Sequence, residues 1–226
     1  PEMSRGLGDV YKRQARKMLD EAGWTECTIT VSNSLDEYLI QDLWMQDAKI
    51  DAFGVGERLI TAKSEPVFGC VYKLVAVEDK DGNIVPKIKI SENVGKITNP
   101  HFKKVYRFFG NDTGKAIADY LTVYDETVED SQNLEIFDPD ATWKRKEVYH
   151  FEARELLVPI YQKGKLVYKR PDIEEIKKYC AEQVDTLWDE VKRFDNPHNY
   201  YVDLSQKLYD IKTELLNEKN ERYEKN

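Results

Sequence analysis

The sequence predicts a mixed α/β fold, α+β overall, and three observations support that prediction. A β-branched run over residues 27–31 is followed by a polar turn, a helical stretch and a second strand-like run over residues 49–53. Residues 71–123 alternate apolar and polar positions between turn signals. Residues 171–216 place apolar residues at helical spacing. The predicted order is therefore an α/β unit, then strands, then two helices.

The first predicted elements are a helix from Ala15 to Gly23, which acts as a stop signal, and a strand over residues 27–31. Asn33 or Ser34 is expected to cap the next helix, because short polar side chains accept hydrogen bonds from the first free amides of a helix. Strand, turn, helix and second strand then form one right-handed βαβ crossover. The helix is expected to turn four residues inward: Leu35, Leu39, Leu43 and Trp44.

The central strands follow from turn residues and alternation. Asp81-Gly82-Asn83 marks the turn of a hairpin, and residues 103–109 are expected to pair with residues 116–123. Residues 125–140 contain seven acids and neither Lys nor Arg. Their spacing fits no recognised calcium loop, which favours a solvated, mobile segment over a metal site.

The last third of the chain predicts a hairpin and two helices. Gln162-Lys163-Gly164 forms the hairpin turn, since glycine supplies the backbone freedom that such turns need. An amphipathic helix follows Pro171 and is expected to bury Cys180 in its apolar stripe. Apolar residues over 204–215 predict the final helix.

Composition excludes several classes of function. The 34 Lys and Arg against 42 Asp and Glu give a net charge of -8, whereas a general nucleic-acid binder has the opposite sign. No apolar run approaches the roughly 18 residues that a membrane-spanning helix needs. The three cysteines are scattered, without the CxxC spacing of a structural zinc site. We therefore expect no nucleic-acid or membrane partner, no dedicated metal site and a cytoplasmic location.

Residues 1–14 differ from the rest of the chain, because they lack an initiator Met and an apolar period. We interpret them as a junction segment rather than native sequence and leave them out of the fold prediction. On this interpretation the chain is the C-terminal part of a longer polypeptide. The predicted organisation is a junction over residues 1–14, a first domain over 15–111 and a second domain over 112–226.

Two turns follow the predicted parallel strands, Ser32-Asn33-Ser34 and Gly54-Val55-Gly56. The carboxyl ends of such strands share one edge of the sheet, which is where ligands bind in α/β folds. Glycine permits close approach of the backbone, and exposed N–H groups hold phosphate. The sequence therefore predicts a phosphate site formed by both turns. A tight-turn glycine pair without a ligand is the alternative.

Three charged residues follow the glycine turn. Arg58 and Lys63 either add positive charge to the phosphate site or are ordinary solvated cations. Glu57 would repel an anion if its carboxylate pointed inward, so we expect it to point away or to meet a cation or a hydroxyl group.

Longer motifs link these turns to a known family. The stretch IDAFGVGERLIT over residues 50–61 continues into PVFGCVYKL over residues 66–74. Supporting motifs are SNSLDE over 32–37, KIKISEN over 87–93, RFDNPH over 193–198 and YVDLS over 201–205. From about residue 15 to residue 216, the chain resembles the nicotinate phosphoribosyltransferases, which are type II phosphoribosyltransferases.

The resemblance implies an enzyme of NAD salvage that forms nicotinate mononucleotide from nicotinate and phosphoribosyl pyrophosphate, with ATP hydrolysis. It implies the C-terminal part of an irregular α/β barrel followed by a small β-hairpin and two-helix domain, and a homodimer in the full-length form. Magnesium would be bound by the pyrophosphate rather than by a protein cage. By the same resemblance, five residues bind the substrate phosphate: Asn33, Ser34, Gly54, Gly56 and Glu57.

The residues that would perform the chemistry have no counterpart in this chain. The family's phosphorylated histidine and its nicotinate-contacting residues lie upstream, and His101, His150 and His198 do not match that motif. We therefore predict no catalytic residue here and expect the chain alone to be inactive. A relative acting on nicotinamide or quinolinate is one alternative, and a non-catalytic phosphate-binding module is another.

Overall fold

The computed structural model describes the backbone of residues 4–224 and the side chains of residues 13–218. The chain divides into two compact parts, unit 1 (Pro1–Val71) and unit 2 (Tyr72–Asn226). The first three residues of the predicted junction segment lie outside the described residues. Its later residues belong to a helix, so this helix begins well before the predicted start at Ala15.

Unit 1 contains three helices and two short strands within its described residues. In chain order they are α1 (Ser4–Glu21), β1 (Thr30–Ser32), α2 (Glu37–Met45), β2 (Ala52–Gly54) and α3 (Glu57–Ile60). β1 and β2 pair in parallel, with Val31 opposite Phe53. This parallel pairing, with α2 between the two strands in the chain, confirms the predicted βαβ unit.

The helix α1 ends where the sequence predicts. Gly23 has φ +83°, and Trp24 N–H donates to Leu19 C=O at 2.8 Å. A left-handed residue followed by such a bond is the usual way to close a helix, and glycine adopts it without a Cβ clash.

In α2 the inward face is narrower than predicted. Leu35, just before the helix, and Leu43 are 3% exposed, whereas Trp44 is 66% exposed. Trp44 follows Leu43 by one residue, which rotates it by about 100° around the helix axis. The two side chains therefore cannot face the same side, and the prediction for Trp44 was wrong.

Unit 2 contains most of the strands. In chain order its elements are β3 (Ala76–Glu78), β4 (Ile84–Pro86), a 3₁₀ turn (Val94–Lys96), β5 (Lys103–Gly110), β6 (Ala116–Val123), β7 (Leu134–Phe137), β8 (Arg145–Val148), β9 (Phe151–Glu155), β10 (Tyr161–Gln162), β11 (Lys165–Leu166), α4 (Ile173–Asp185), β12 (Tyr201–Leu204) and α5 (Gln206–Glu224). A short antiparallel hairpin forms at each of the two predicted turns, as β3–β4 and β10–β11.

A four-stranded sheet, in the order β12-β6-β5-β9, forms the centre of unit 2. β5 and β6 pair as predicted, with Tyr106 opposite Tyr120. The predicted domain boundary after residue 111 lies in the turn between these two strands, and it stays a prediction. The described residues form mixed helices and sheets without a closed barrel.

Two groups of buried side chains hold this sheet. The larger comprises Tyr106, Phe108, Ala118, Tyr120, Ile136, Val148 and Phe151. The smaller comprises Val123, Leu204 and Leu208, and it joins β6 and β12 to α5. The helix α5 begins after Ser205, whose Oγ accepts from Leu208 N–H at 3.2 Å.

A polar network crosses the sheet between β5 and β6. Arg107 donates two hydrogen bonds to Asp119, at 2.7 and 2.9 Å, and Tyr200 O–H donates to the same carboxylate at 3.0 Å. These charge-assisted bonds raise the pKa of the Arg107 guanidinium above its ordinary value. Burial raises the pKa of the Tyr200 hydroxyl.

Two sequence expectations for unit 2 fail. Cys180 is exposed, and α4 buries none of its residues. The segment 125–140 is not wholly solvated either, because it contains β7, in which Ile136 and Phe137 are buried. One of its acids, Glu126, is half-buried and accepts bonds from Val123 N–H at 2.6 Å and Ser205 O–H at 2.8 Å.

Candidate functional site

The two predicted turns leave the same edge of the β1–β2 pair. Ser32, the last residue of β1, lies opposite Gly54, the last residue of β2. A Cβ added at Gly54 would lie 3.0 Å from the Cβ of Ser32. Asn33 and Ser34 therefore start beside Val55 and Gly56, and glycine at position 54 permits this close approach.

Asn33 and Ser34 have left-handed backbone, with φ of +93° and +51°. Such a conformation costs an L-residue with a side chain roughly 1–2 kcal/mol. Consecutive residues of this kind reverse the chain sharply between β1 and α2. Strained backbone of this kind clusters at functional sites in proteins.

Asp36, rather than Asn33 or Ser34, caps α2. Its Oδ1 accepts from Leu39 N–H at 2.9 Å, and its backbone is extended, with φ −137° and ψ 176°. An N-cap residue needs extended backbone so that its side chain reaches the first helical amides. The left-handed turn denies that conformation to Asn33 and Ser34, so the predicted cap was wrong.

Backbone amides at these turns are free to bind a ligand. Within the described part of the chain, the N–H groups of Ser34, Val55 and Gly56 donate no hydrogen bond. All three residues are at least partly exposed. A cluster of free N–H donors is suited to an anion, because each contributes a partial positive charge.

Charged side chains near the turns form ion pairs. Arg58 Nη1 lies 2.8 Å from Asp36 Oδ2, and Lys63 Nζ lies 3.6 Å from Glu57 Oε1. Glu57 therefore meets a cation, which was one of the two expectations for it. Sequence reasoning missed the role of Asp36, although an Asp directly before a helical stretch is itself a capping signal.

Two clefts adjoin the turns. One, of about 340 Å³, is lined in part by Ser34, Asp36 and Arg58. The other, of about 260 Å³, is lined in part by Val55, Asp36 and Arg58. Asp36 and Arg58 thus border both clefts, while each turn contributes to one of them.

The described residues contain neither a metal-binding cluster nor a membrane-spanning helix. Among the described residues, no three His, Cys, Asp or Glu side chains are grouped so as to hold a metal ion. No helix over residues 4–224 is both long and apolar enough to cross a membrane.

Comparison with known proteins defines the class. Residues 102–212 match the sequence model of the nicotinate phosphoribosyltransferase C-terminal domain. The nicotinate phosphoribosyltransferase of Bacillus subtilis (strain 168) is 43% identical over 219 residues, which are 96% of this chain and 44% of that protein. The Caenorhabditis elegans enzyme of the same name is 38% identical over 210 residues, or 92% of this chain and 36% of that protein.

The fold agrees with these sequence matches. The crystal structure of human nicotinic acid phosphoribosyltransferase superposes with a TM-score of 0.62 and 22% identity, over 95% of this chain and 38% of that one. The fold is thus that of a phosphoribosyltransferase-like α/β protein. The chain belongs to the nicotinate phosphoribosyltransferase family, and it spans less than half the length of the relatives it matches.

Proposed function

We propose that this chain supplies the substrate-phosphate turns of a nicotinate phosphoribosyltransferase, an ATP-dependent cytoplasmic enzyme that makes nicotinate mononucleotide for NAD synthesis. Nicotinate, phosphoribosyl pyrophosphate and ATP are its proposed substrates, and a homodimer is its proposed assembly. The bacterial and nematode relatives are named for nicotinate, which favours this pyridine over nicotinamide or quinolinate.

One observation carries the proposal: the parallel β1–β2 pair brings the two turns to one edge with free amides. Amides of Ser34, Val55 and Gly56 would donate to the oxygens of the substrate phosphate, with Asn33, Gly54 and Glu57 shaping the turns. These contacts orient the sugar rather than make or break a bond, because the 5′-phosphate is remote from the reacting carbon.

Magnesium is proposed to reach the full-length enzyme with the pyrophosphate of the substrate rather than through a protein cage on this chain. The contribution of these residues is therefore to bind and orient the phosphate.

A glycine substitution tests the phosphate turns. A Cβ added at Gly56 meets no atom within 4 Å, so the side chain of Gly56→Val has room and would occupy the space beside the amides. We expect Gly56→Val to weaken the binding of ribose 5-phosphate by roughly tenfold or more. Nuclear magnetic resonance titration of the backbone amides measures this affinity.

Gly69→Val is the matched control, because a Cβ at Gly69 also meets nothing within 4 Å. It should leave the affinity unchanged. Equal affinity of Gly56→Val and the wild-type chain would remove the assignment of this turn.

A turnover assay tests the predicted absence of catalytic residues. We expect no nicotinate mononucleotide when the chain is mixed with nicotinate, ATP and labelled phosphoribosyl pyrophosphate. Product formation above the enzyme-free background would show that the chain contains the catalytic groups.

A further inference from the structure

Asp36 connects the two turns through separate carboxylate oxygens. Oδ1 accepts from Leu39 N–H at 2.9 Å and so holds the start of α2, directly after the first turn. Oδ2 lies 2.8 Å from Nη1 of Arg58, which follows the second turn. One side chain therefore contacts the segments that follow both turns.

This ion pair is partly shielded from water. The Asp36 side chain is 20% exposed and that of Arg58 is 42% exposed, so water screens the pair only in part. Both residues line the cleft beside Ser34 and the cleft beside Val55. The pair thus borders the cleft at each turn.

We propose that Asp36 and Arg58 are a positioning pair, which holds the two turns at the spacing that lets their amides bind one phosphate group. The inference rests on the proposed function, because it presumes that both turns share the ligand. The β ladder alone is a weak constraint on this spacing, since β1 and β2 share only three residue pairs. Loss of the ion pair would let α3 and its turn shift relative to α2.

A direct role of Arg58 as a phosphate ligand makes the opposite prediction for one variant. Asp36→Asn removes the negative charge that occupies Arg58, so a direct ligand would be released and phosphate would bind more tightly. A positioning pair predicts weaker binding, because the link between the turns is lost. Asparagine still caps a helix as well as aspartate does, so α2 keeps its first turn in this variant.

The experiment titrates the whole chain with ribose 5-phosphate and follows the amide resonances of Ser34, Val55 and Gly56. We expect Asp36→Asn and Arg58→Gln each to raise the Kd about threefold, as loss of a half-exposed ion pair implies. The double variant should bind no more weakly than either single variant, because both changes remove one interaction. In each variant, the changes in amide chemical shift caused by the ligand should persist at one turn and become smaller at the other. A general loss of stability would reduce these changes at both turns.

Charge-matched controls come from the exposed Asp47–Lys49 pair, whose Nζ–Oδ1 distance is 2.7 Å. Asp47→Asn and Lys49→Gln change the net charge as the test variants do, and they should leave the Kd unchanged. Tighter or unchanged binding by Asp36→Asn overturns the positioning pair while the phosphate turns stand. A wild-type chain whose turn amides do not respond to ribose 5-phosphate overturns the proposed function, and the positioning pair with it.

Discussion

Units 1 and 2 are stabilised in different ways. In unit 1 only two apolar side chains, Leu35 and Leu43, are buried among the described residues. In unit 2 the aromatic rings of Phe108 and Phe151 lie 4.7 Å apart at the centre of a continuous core. Unit 1 therefore depends on directional contacts, while unit 2 depends on the burial of apolar surface.

This difference places the candidate site on the less densely packed unit. Its turns are held by a helix cap, an ion pair and a short parallel ladder. Each such contact contributes about 1 kcal/mol or less, whereas a buried aromatic residue contributes several. Substitutions at the turns should change ligand affinity more than stability, and substitutions in the unit 2 core should do the reverse.

The largest expected effect is that of Phe108→Ala. Phe108 is fully buried, at 0% exposure, so its truncation should lower the free energy of unfolding of unit 2 by about 4 kcal/mol. Urea denaturation measures this change. Phe68→Ala is the control in unit 1, because Phe68 is 96% exposed, and its effect should stay within about 0.5 kcal/mol. Similar effects of both variants would contradict the proposed difference in how the two units are stabilised.

The next effect concerns Asp203, which is 3% exposed. Burial raises its pKa from 3.8 to about 6, and the nearby Asp138 carboxylate adds to this shift. Between about pH 4 and pH 6 the folded chain holds a proton that the unfolded chain has lost, so stability falls as pH rises through this range. Asp203→Asn should remove that fall and raise the free energy of unfolding at pH 8 by about 2 kcal/mol.

Urea denaturation at pH 4 and pH 8 checks this prediction. Little difference from the wild-type chain is expected at pH 4, where Asp203 is protonated when folded. Asp195→Asn, at an exposed position, provides the same charge change as a control. A loss of stability at pH 8 in Asp203→Asn would show that the carboxylate stabilises the core instead.

The smallest expected effect on stability concerns the left-handed backbone of Ser34 in unit 1. Ser34 has φ +51°, a conformation that glycine adopts without steric cost. Ser34→Gly should therefore raise the stability of unit 1 by about 0.5 kcal/mol, after the greater entropy that glycine gives the unfolded chain is subtracted. Hydrogen exchange of the Val31 and Phe53 amides measures this change. Ser64→Gly is the control, because the backbone of Ser64 is not left-handed, and this change should be neutral or destabilising. An equal gain in stability from Ser64→Gly would contradict the backbone strain at Ser34.

Local patterns predicted much of the fold and part of the site. The parallel pairing of β1 and β2 followed from a β-branched run, a polar turn and a helical stretch in order. The cap at Asp36 and the exposure of Cys180 did not follow, because backbone dihedrals and the packing of α4 depend on neighbouring elements. The burial of Ile136 within an acidic segment likewise needed the sheet that covers it.

The sequence by itself determined the family, the order of the main elements and the two turns, because those depend on residue types at short separations. Only the tertiary structure decided which residues join the turns, since Asp36 and Arg58 meet through the folding of α2 and α3 beside the β1–β2 ladder. It also decided the raised pKa of Asp203, which comes from burial against strands distant in the chain. Contacts between distant residues depend on the whole packed arrangement, and no local pattern encodes them.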